Sequence, residues 1–245
     1  MSKLLLSLSL LAAALPAFGA DGTTLINQSI VLATGGYPFH ITQSGSYRLS
    51  GNLLATNGGI AISANNVTLD FNGFTISCAS NCGTVGVSTI NTNITIENGT
   101  VTGFTTGAGI ILGGSGRIDN MNVTLNGYGI GDTSGVLTLT NSNIEANNLA
   151  GLQITHGLIR QCTFSSNGTL PAQGGLGAIV LYGGVLTIHE NNFVNNWVAI
   201  GLAAGVTNGG STSVGMNTFG ENFIDFQGAP GITSLKNNVD GAVVF

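Results

Sequence analysis

Charged side chains are scarce in this chain of 245 residues, because only 6% of them are Asp, Glu, Lys or Arg, against about a quarter in an average globular domain. Five basic residues face ten acidic ones, for a formal net charge of −5. Affinity for nucleic acid comes mainly from Lys and Arg that neutralise phosphates, so no nucleic-acid partner is predicted. The same shortage makes capture of a polyanionic glycan difficult unless a cation bridges the two.

Cysteine is also rare, with three residues in the chain. Cys78 and Cys82 are separated by three residues and could form a disulfide, which suits an oxidising compartment. Cys162 lies inside a repeat and is interpreted as a small buried side chain. His40 and His156 have no partners at metal-binding spacing, and no second cysteine pair is present, so no metal site is predicted.

One apolar run stands at the start of the chain. Lys3 supplies a positive charge, residues 4–15 form the run, and small residues follow, with cleavage expected after Gly19 or Ala20. The run is too short for a membrane-spanning helix, and no stop-transfer pattern follows it. We therefore expect residues 1–20 to be a signal peptide, a mature chain without a transmembrane segment, and a secreted or periplasmic protein.

The chain is rich in Gly, Asn, Thr and Ser, while 43% of its residues are hydrophobic and can fill a core. A short motif recurs: an apolar anchor, often an Asn two places on, and a second apolar residue five places on. Phe71 and Ile76 open the series, and a degraded copy at Ser234 and Val239 could close it. The complete copies are Ile96/Asn98/Val101, Ile118/Asn120/Val123, Leu139/Asn141/Ile144, Ile159/Gln161/Phe164, Ile188/Glu190/Phe193 and Val214/Met216/Phe219.

A second register stands eight places past the anchor, where five consecutive repeats carry Asn. The tendency of Asn to mark turns would explain one such residue, but not five at a fixed offset. Identical side chains that stack in register form ladders of hydrogen-bonded amides. We therefore predict a structural ladder of Asn126, Asn147, Asn167, Asn196 and Asn222.

Apolar and polar residues alternate around each anchor, which is the periodicity of a β-strand. No stretch has the 3.6-residue periodicity of a helix, so crossover helices cannot join parallel strands here. Strands that recur every 20 to 29 residues can instead coil, each turn stacking on the last at about 4.8 Å. The longer spacings predict insertions within residues 166–177 and 203–212.

Three segments, residues 41–53, 67–76 and 94–101, resemble bacterial right-handed parallel β-helix repeat proteins of the pectate-lyase-like superfamily. The likeness covers nearly all of the mature chain. It implies a fold but no activity, because the superfamily includes lyases, hydrolases, epimerases and adhesins. We predict an all-β, single-stranded right-handed parallel β-helix of roughly eight to nine coils, with residues 21–50 as N-terminal cap and first strands and residues 51–245 as the β-helix.

Residues on either side of an anchor point away from the core, because the anchor points into it. Six of the few titratable side chains fall at such positions, Asp70 among them as the residue before the anchor Phe71. We predict that they share one sheet face and form a polar groove for an extended glycan. These ligand-binding candidates are Asp70, Glu97, Arg117, Asp119, Arg160 and His189.

Two interpretations of this face remain open. In an enzyme, Glu97 and Asp119 on adjacent coils would suit a glycosidase. Alternatively, Arg160 flanked by Asp119 and His189 would suit a lyase, with calcium held by an acidic pair. In a protein without catalysis, the charges keep an exposed face soluble, and Glu97–Arg117 and Asp119–Arg160 pair weakly. No catalytic motif of polygalacturonases or pectate lyases can be matched, so the sequence does not decide whether the chain is an enzyme.

We expect a secreted β-helix protein that binds a glycan or a cell-surface component without catalysis. The alternative is a polysaccharide-active enzyme, for which a lyase or an epimerase is favoured over a glycoside hydrolase. No cofactor is predicted, apart from calcium if the chain is a lyase. Trp197 could stack on a sugar, although packing is the commoner role. Residues 243–245 end without an obvious cap, so a partner could cover that end.

Overall fold

The structure is a computed structural model. The signal peptide predicted at residues 1–20 and the predicted disulfide partner Cys82 lie outside the residues that it describes. The described residues are 22–80, 85–131, 135–168, 176–206 and 211–227, together with the backbone of 232–234, 239–240 and 243–244.

Strand periodicity and regular spacing produce coils of three strands, stacked as a parallel β-helix of about eight turns. Each full coil contributes one strand to each of three faces, so a strand pairs with its counterparts in the coils before and after it. Faces 1 and 2 belong to one 18-stranded sheet, because two long strands run through the corner between them, and face 3 is a 9-stranded sheet. This confirms the predicted all-β solenoid.

The strands are numbered in chain order. Face 1 is formed by β1 (Thr24–Ile26), β3 (Gly45–Leu49), β6 (Val67–Asp70), the first halves of β9 (Ile94–Thr102) and β11 (Gly116–Thr124), β13 (Val136–Thr140), β16 (His156–Arg160), β19 (Val185–His189), β22 (Ser211–Gly215) and β25 (Ile232–Ser234). Face 2 is formed by β4 (Leu53–Ala55), β7 (Thr75–Cys78), the second halves of β9 and β11, β14 (Asn143–Glu145), β17 (Thr163–Ser165), β20 (Asn192–Val194), β23 (Thr218–Gly220), β26 (Val239–Asp240) and β27 (Val243–Val244). Face 3 is formed by β2 (Phe39–Ile41), β5 (Ile60–Ile62), β8 (Val85–Thr89), β10 (Ala108–Leu112), β12 (Tyr128–Gly131), β15 (Ala150–Ile154), β18 (Gly177–Leu181), β21 (Val198–Leu202) and β24 (Ile224–Gln227).

The predicted anchors point into the coil and form its core. On face 2, Phe164, Phe193 and Phe219 lie in register, and their rings stack with centroids 5.2 and 5.1 Å apart. The face 1 anchors form a second buried column. Its members are Leu69, Ile96, Ile118, Leu139, Ile159, Ile188 and Val214.

Two assignments at the ends of the series were wrong. Leu69, not Phe71, pairs with Ile96 and is the first anchor. Phe71 is also buried, but it lies in the turn that follows β6. In the degraded last copy Ser234 pairs with the anchor Val214 as expected, whereas the residue opposite Phe219 is Asp240. Both errors arise because the turns between strands vary in length by a residue or more.

Corner 1 joins face 1 to face 2, and corner 2 joins face 2 to face 3. At corner 1 the seven coils from Asn72 to Met216 each turn through a residue with positive φ. This explains the Asn two places after the anchor, since Asn adopts this conformation more readily than most residues. The φ angles are 62° at Asn98, 51° at Asn120 and 52° at Asn141. Gln161 and Glu190 take the same conformation in the next two coils.

Corner 2 carries the predicted Asn ladder, which the structure confirms. The Nδ2 group of Asn126 donates to Oδ1 of Asn147 at 3.2 Å, and Asn147 donates to Asn167 at 3.0 Å. Asn167 donates to Asn196 at 3.1 Å, and Asn196 to Asn222 at 2.9 Å. From Asn147 onward each Oδ1 also accepts the backbone N–H of the preceding ladder residue, and Oδ1 of Asn126 accepts that of Phe104. The column therefore satisfies buried backbone groups as well as its own amides.

The N-terminal end of the helix is covered by α1 (Gln28–Ala33), which takes the place of a face 2 strand in the first coil. Val31 on α1 is buried against the core. The side-chain oxygen of Gln28 accepts the backbone N–H of Leu54 at 2.9 Å, so the edge of the first face 2 strand is not left open. At the other end β27 pairs antiparallel with β26, so the chain itself covers the last face 2 strand.

The cysteines divide into two classes. Cys78 is disulfide-bonded, and Cys162 is a buried free thiol as predicted. Burial raises the pKa of the Cys162 thiol to about 12, which leaves it protonated and unreactive at neutral pH.

Within the part of the chain that the structure describes, no helix is long and apolar enough to cross a membrane.

Candidate functional site

A column of polar side chains runs along the outside of face 1, at the position after each anchor. Five of the six predicted site residues belong to it and lie on neighbouring or nearby coils, about 4.8 Å apart per coil. Arg117 stands in the adjacent column, between Thr95 and Thr138. The charged column comprises Arg48, Asp70, Glu97, Asp119, Thr140, Arg160 and His189.

Asp70 was predicted at the position before an anchor and in fact lies after one. Because Leu69 points into the core, the next residue points outward and stands beside Glu97. Asp70 therefore lies in the same column as Glu97 and Asp119, and the three carboxylates stand on three consecutive coils. The sequence carries a signal for this register, since Val67-Thr-Leu-Asp70 has the same pattern as Ile94-Thr-Ile-Glu97.

The ion pairs of this face differ from the two that the sequence suggested. Arg117 pairs with Asp119, two residues along the same strand, at 2.8 Å rather than with Glu97. Thr140 separates Asp119 from Arg160 in the column. Arg117 is therefore paired within its own strand, which favours a structural role for its charge.

Asp119 is the most constrained carboxylate of the column. Its Oδ1 accepts hydrogen bonds from Oγ1 of Thr140 at 2.5 Å and from Nδ2 of Asn141 at 2.9 Å, and its side chain is only 18% exposed. Partial burial acts to raise the pKa of Asp119, but these hydrogen bonds and the nearby charge of Arg117 outweigh it and lower the pKa below the usual value. Asp119 is therefore ionised at neutral pH and poorly suited to donate a proton.

Arg160 and His189 share a carboxylate that the sequence did not single out. Nε of Arg160 lies 2.8 Å from Oε2 of Glu190, and Nδ1 of His189 lies 3.6 Å from Oε1 of the same residue. The hydrogen bond from Arg160 lowers the pKa of the Glu190 carboxyl. Glu190 occupies a corner 1 turn position with φ of 58°, where earlier coils carry Asn.

Arg48 is a second charged residue that sequence reasoning missed, and it belongs to the charged column. Its Nε lies 2.9 Å from Oδ2 of Asp70, on the next coil. It escaped notice because the repeat was traced only from Phe71 onward, one coil after the strand that carries Arg48. Glu97, between Asp70 and Asp119, is half-buried and has no ion pair among the described residues.

A column of amides at corner 1 borders the charged column. Nδ2 of Asn98 donates to Oδ1 of Asp70 at 3.1 Å, and Nδ2 of Asn120 donates to Oδ1 of Asn98 at 3.0 Å. With Asn141, whose bond to Asp119 is given above, these three residues form the corner 1 amide column. They tie the corner to the charged column and fix the orientation of the amides.

The corner 1 amide column lines an outer groove of about 400 Å³. Asn122 and Asn143, which lie in register on face 2, add two more amides, and Thr100 adds a hydroxyl. Gly99 lies on the groove floor because the chain is too close for a side chain: a Cβ there would lie 2.2 Å from Cβ of Phe71. Five amides, the Thr100 hydroxyl, two glycines and Met121 line this groove, and none of its lining residues is charged.

The remaining sequence candidates lie apart from this site. His40 is exposed on β2, and His156 begins β16. Trp197 stacks on Phe223 of the next coil, with ring centroids 4.3 Å apart, on the outside of corner 2. No three His, Cys, Asp or Glu side chains within the described ranges come together as a metal site would require.

Comparison of this chain with protein-family models, with curated proteins and with solved structures found no match in any of the three. The architecture is thus established by the geometry of the coils themselves, as a parallel β-helix repeat protein.

Proposed function

We propose that this chain is a secreted or periplasmic β-helix protein, related to the pectate-lyase-like superfamily, that binds a glycan along corner 1 without catalysing a reaction on it. The observation that carries the proposal is the continuity of the polar surface. Charged column, amide column and groove run side by side along successive coils, so the surface repeats at about 4.8 Å per coil. A linear polymer with repeated hydroxyl groups matches such a surface better than a compact ligand does.

The chemistry of the groove favours a neutral glycan. Each Nδ2 group of the corner 1 amide column has two hydrogens, and the contacts given above use one of them, so the second can be donated to a sugar hydroxyl. Asp70, Glu97 and Asp119 make the bordering column rich in negative charge. A polyuronate would be repelled there unless calcium bridged the two sets of carboxylates.

The state of the charged groups supports binding over catalysis. A general acid or base works best when its pKa lies near the working pH. The pKa values of Asp119 and Glu190 are lowered instead, and Arg160 and Arg117 are held by neighbouring carboxylates. Ion-paired groups of this kind stabilise the conformation of the surface and do not transfer protons at neutral pH.

The proposal is tested by affinity electrophoresis in gels that contain soluble neutral polysaccharides such as xylan, mixed-linkage glucan and galactomannan. The variant replaces Asn98, Asn120 and Asn141 by Gly, which keeps the positive φ and removes the amides. We expect at least one polysaccharide to retard the native protein and the variant to migrate freely.

A matched control replaces Asn66 and Asn93 by Gly. These residues have φ of 56° and 57° and share a hydrogen bond of 2.8 Å, but they precede face 1 instead of following it. The control should be retarded like the native protein. Equal retardation of all three proteins, or none with any polysaccharide, would overturn the proposal.

The three consecutive carboxylates give a second candidate function, a polysaccharide lyase or epimerase. In such an enzyme an acidic pair would hold calcium against a uronate, and Arg160 would act on a proton. The assay incubates the protein with pectate, alginate and glycosaminoglycans, with and without calcium. New ultraviolet absorbance from unsaturated uronates, lost in Asp119→Ala and Arg160→Ala, would replace the binding proposal with the lyase.

A further inference from the structure

A cavity of about 470 Å³ opens at the N-terminal end of the β-helix, away from corner 1. Thr24 of β1 pairs with Tyr47 of β3, and Tyr47 pairs with the inward anchor Leu69. Tyr47 therefore occupies an inward position, but it is half-buried, whereas Leu69 on the next coil is fully buried. The segment that follows α1 forms the rest of the cavity wall.

The walls of the cavity combine aromatic rings with neutral hydrogen-bonding groups. Tyr37, Phe39 and Tyr47 supply three rings, each half-buried and packed against the core. Thr24 and Thr42 contribute hydroxyls, Gln43 an amide and the exposed His40 an imidazole. None of the lining residues is Asp, Glu, Lys or Arg.

Hydrogen bonds within the cap hold the two tyrosine rings in place. The hydroxyl of Tyr37 donates to Oε1 of Gln28 at 2.7 Å, and the hydroxyl of Tyr47 donates to the backbone oxygen of Gln43 at 2.9 Å. The two tyrosine hydroxyl oxygens can still accept a hydrogen bond from a ligand. Because the rings are already fixed, a ligand would not have to order them on binding.

We propose that this cavity binds a single neutral sugar unit. Its volume lies in the range of small-molecule sites. A pyranose presents C–H groups on its faces and hydroxyls around its edge, which match aromatic walls interrupted by hydroxyl and amide groups. A charged ligand would lose hydration here, and the exposed His40 is the one lining side chain that can carry a positive charge.

The experiment follows backbone amide signals of Gly35 and Gly36, which line the cavity, by NMR in the full chain. The probes are glucose, galactose, mannose, xylose and N-acetylglucosamine, with galacturonate as the charged counterpart. We expect saturable shifts of these two signals with at least one neutral sugar, and weaker or no response to galacturonate.

Two variants test the location in different ways. Tyr47→Leu removes the ring and hydroxyl but keeps an apolar contact with Leu69, whereas Thr42→Trp fills the mouth from an exposed position. Both should abolish the saturable shifts, and Thr42→Trp decides the matter if Tyr47→Leu does not fold. Tyr182→Leu, on a tyrosine near face 3 that is 46% exposed, is the matched control and should leave the shifts intact.

The proposal is overturned if no neutral sugar gives saturable shifts, if galacturonate binds more tightly than every neutral sugar, or if Thr42→Trp keeps the response. Its outcome is independent of glycan binding at corner 1. The triple Asn→Gly variant at Asn98, Asn120 and Asn141 should bind sugars in the cavity like the native protein, so the two sites can fail separately.

Discussion

Corner 1 and corner 2 both stack polar side chains coil upon coil, yet one column is uniform and the other is not. The ladder of corner 2 consists of five Asn residues, four of them buried and Asn222 half-buried, that bond to one another without interruption. The exposed turn column of corner 1 changes from Asn to Gln161, Glu190 and Met216 along the helix. Burial explains the difference, because water can replace a lost partner at an exposed corner but not at a buried one.

The inner side of corner 1 is an intermediate case. Asn217 and Asn191 begin a second buried ladder, in which Nδ2 of Asn191 donates to Oδ1 of Asn217 at 3.0 Å. The next places hold Cys162, whose N–H donates to Asn191 at 3.0 Å, and then Ser142, whose hydroxyl accepts the N–H of Met121 at 3.1 Å. Here one side chain per coil still satisfies a backbone group, but its identity varies.

The largest expected effect comes from breaking the complete ladder at its centre. Asn167→Ala removes the acceptor of the Asn147 N–H and Nδ2 groups and the donor to Ile144 oxygen, all of them buried. Each orphaned buried group costs about 1–3 kcal/mol, so we expect the free energy of unfolding to fall by about 3 kcal/mol. The midpoint of urea unfolding measures this loss.

The exposed counterpart is Asn120→Gly at corner 1, which removes an amide while keeping the backbone conformation. It should change the free energy of unfolding by about 0.5 kcal/mol or less, because water replaces the amide. If the two substitutions destabilise the protein equally, burial is not what makes the corner 2 ladder uniform.

A smaller effect, of opposite sign, is expected where the second ladder is interrupted. On the next coil, Nδ2 of Asn191 donates to the backbone oxygen of Ile159 and to Oδ1 of Asn217. In Cys162→Asn the new Nδ2 group can make the equivalent two bonds, to the backbone oxygen of Leu139 and to Oδ1 of Asn191. At present Sγ of Cys162 lies 3.7 Å from Leu139 oxygen, which is a weak contact. We expect the free energy of unfolding to rise by about 1 kcal/mol.

Cys162→Ala provides the matched control, because it removes the thiol without adding an amide. Thermal unfolding of the three proteins should rank the Asn variant above the native chain and the Ala variant below it. A Cys162→Asn protein less stable than the Ala variant would mean that the site is too small for an amide, so that the ladder ends at Asn191 for steric reasons.

The same contrast decides how much of the molecule the sequence predicts. The corner 2 ladder can be predicted from the sequence because its buried position requires Asn in each coil, always at the same offset from the anchor. The anchors can be predicted because residues of the core must be apolar. Glu190 escapes detection because the exposed corner accepts many residues, so its pairing with Arg160 has no repeated signal. Register failed at Phe71 because the turn after β6 differs in length from the turns that follow, and a one-dimensional spacing cannot show which residue of such a turn faces inward.

The local ion pairs are equally hard to foresee. Arg117 stands between two carboxylate positions of the adjacent column, and the choice of Asp119 over Glu97 depends on side-chain reach. The corner 1 groove depends on Gly99, which lies in a strand where nothing in the sequence distinguishes it from other glycines. The sequence repeat therefore predicts which residues share a column, whereas the contacts within and between columns can be seen only in the three-dimensional structure.

A last expected effect separates the corner 2 ladder from the charged column by their response to pH. The corner 2 ladder is built of amides and does not titrate, whereas Asp119 in the charged column has a lowered pKa. A carboxyl whose pKa is lower in the folded state stabilises the protein above its unfolded pKa of about 3.9, and this contribution is lost as the pH falls through the folded pKa. Asp119→Asn should therefore lower stability at pH 7 by no more than about 1 kcal/mol and weaken the decline in stability below about pH 4.

Urea unfolding of the native chain and of Asp119→Asn between about pH 7 and pH 2 measures the difference. Glu221→Gln, on an exposed corner 2 turn, is the control for loss of one carboxylate elsewhere. Asn167→Ala should lower stability by the same amount at every pH, because only amide and backbone groups are involved. A pH-dependent loss in that variant, or parallel pH curves for Asp119→Asn and the native chain, would show that the division into a neutral structural column and a titrating surface column is wrong.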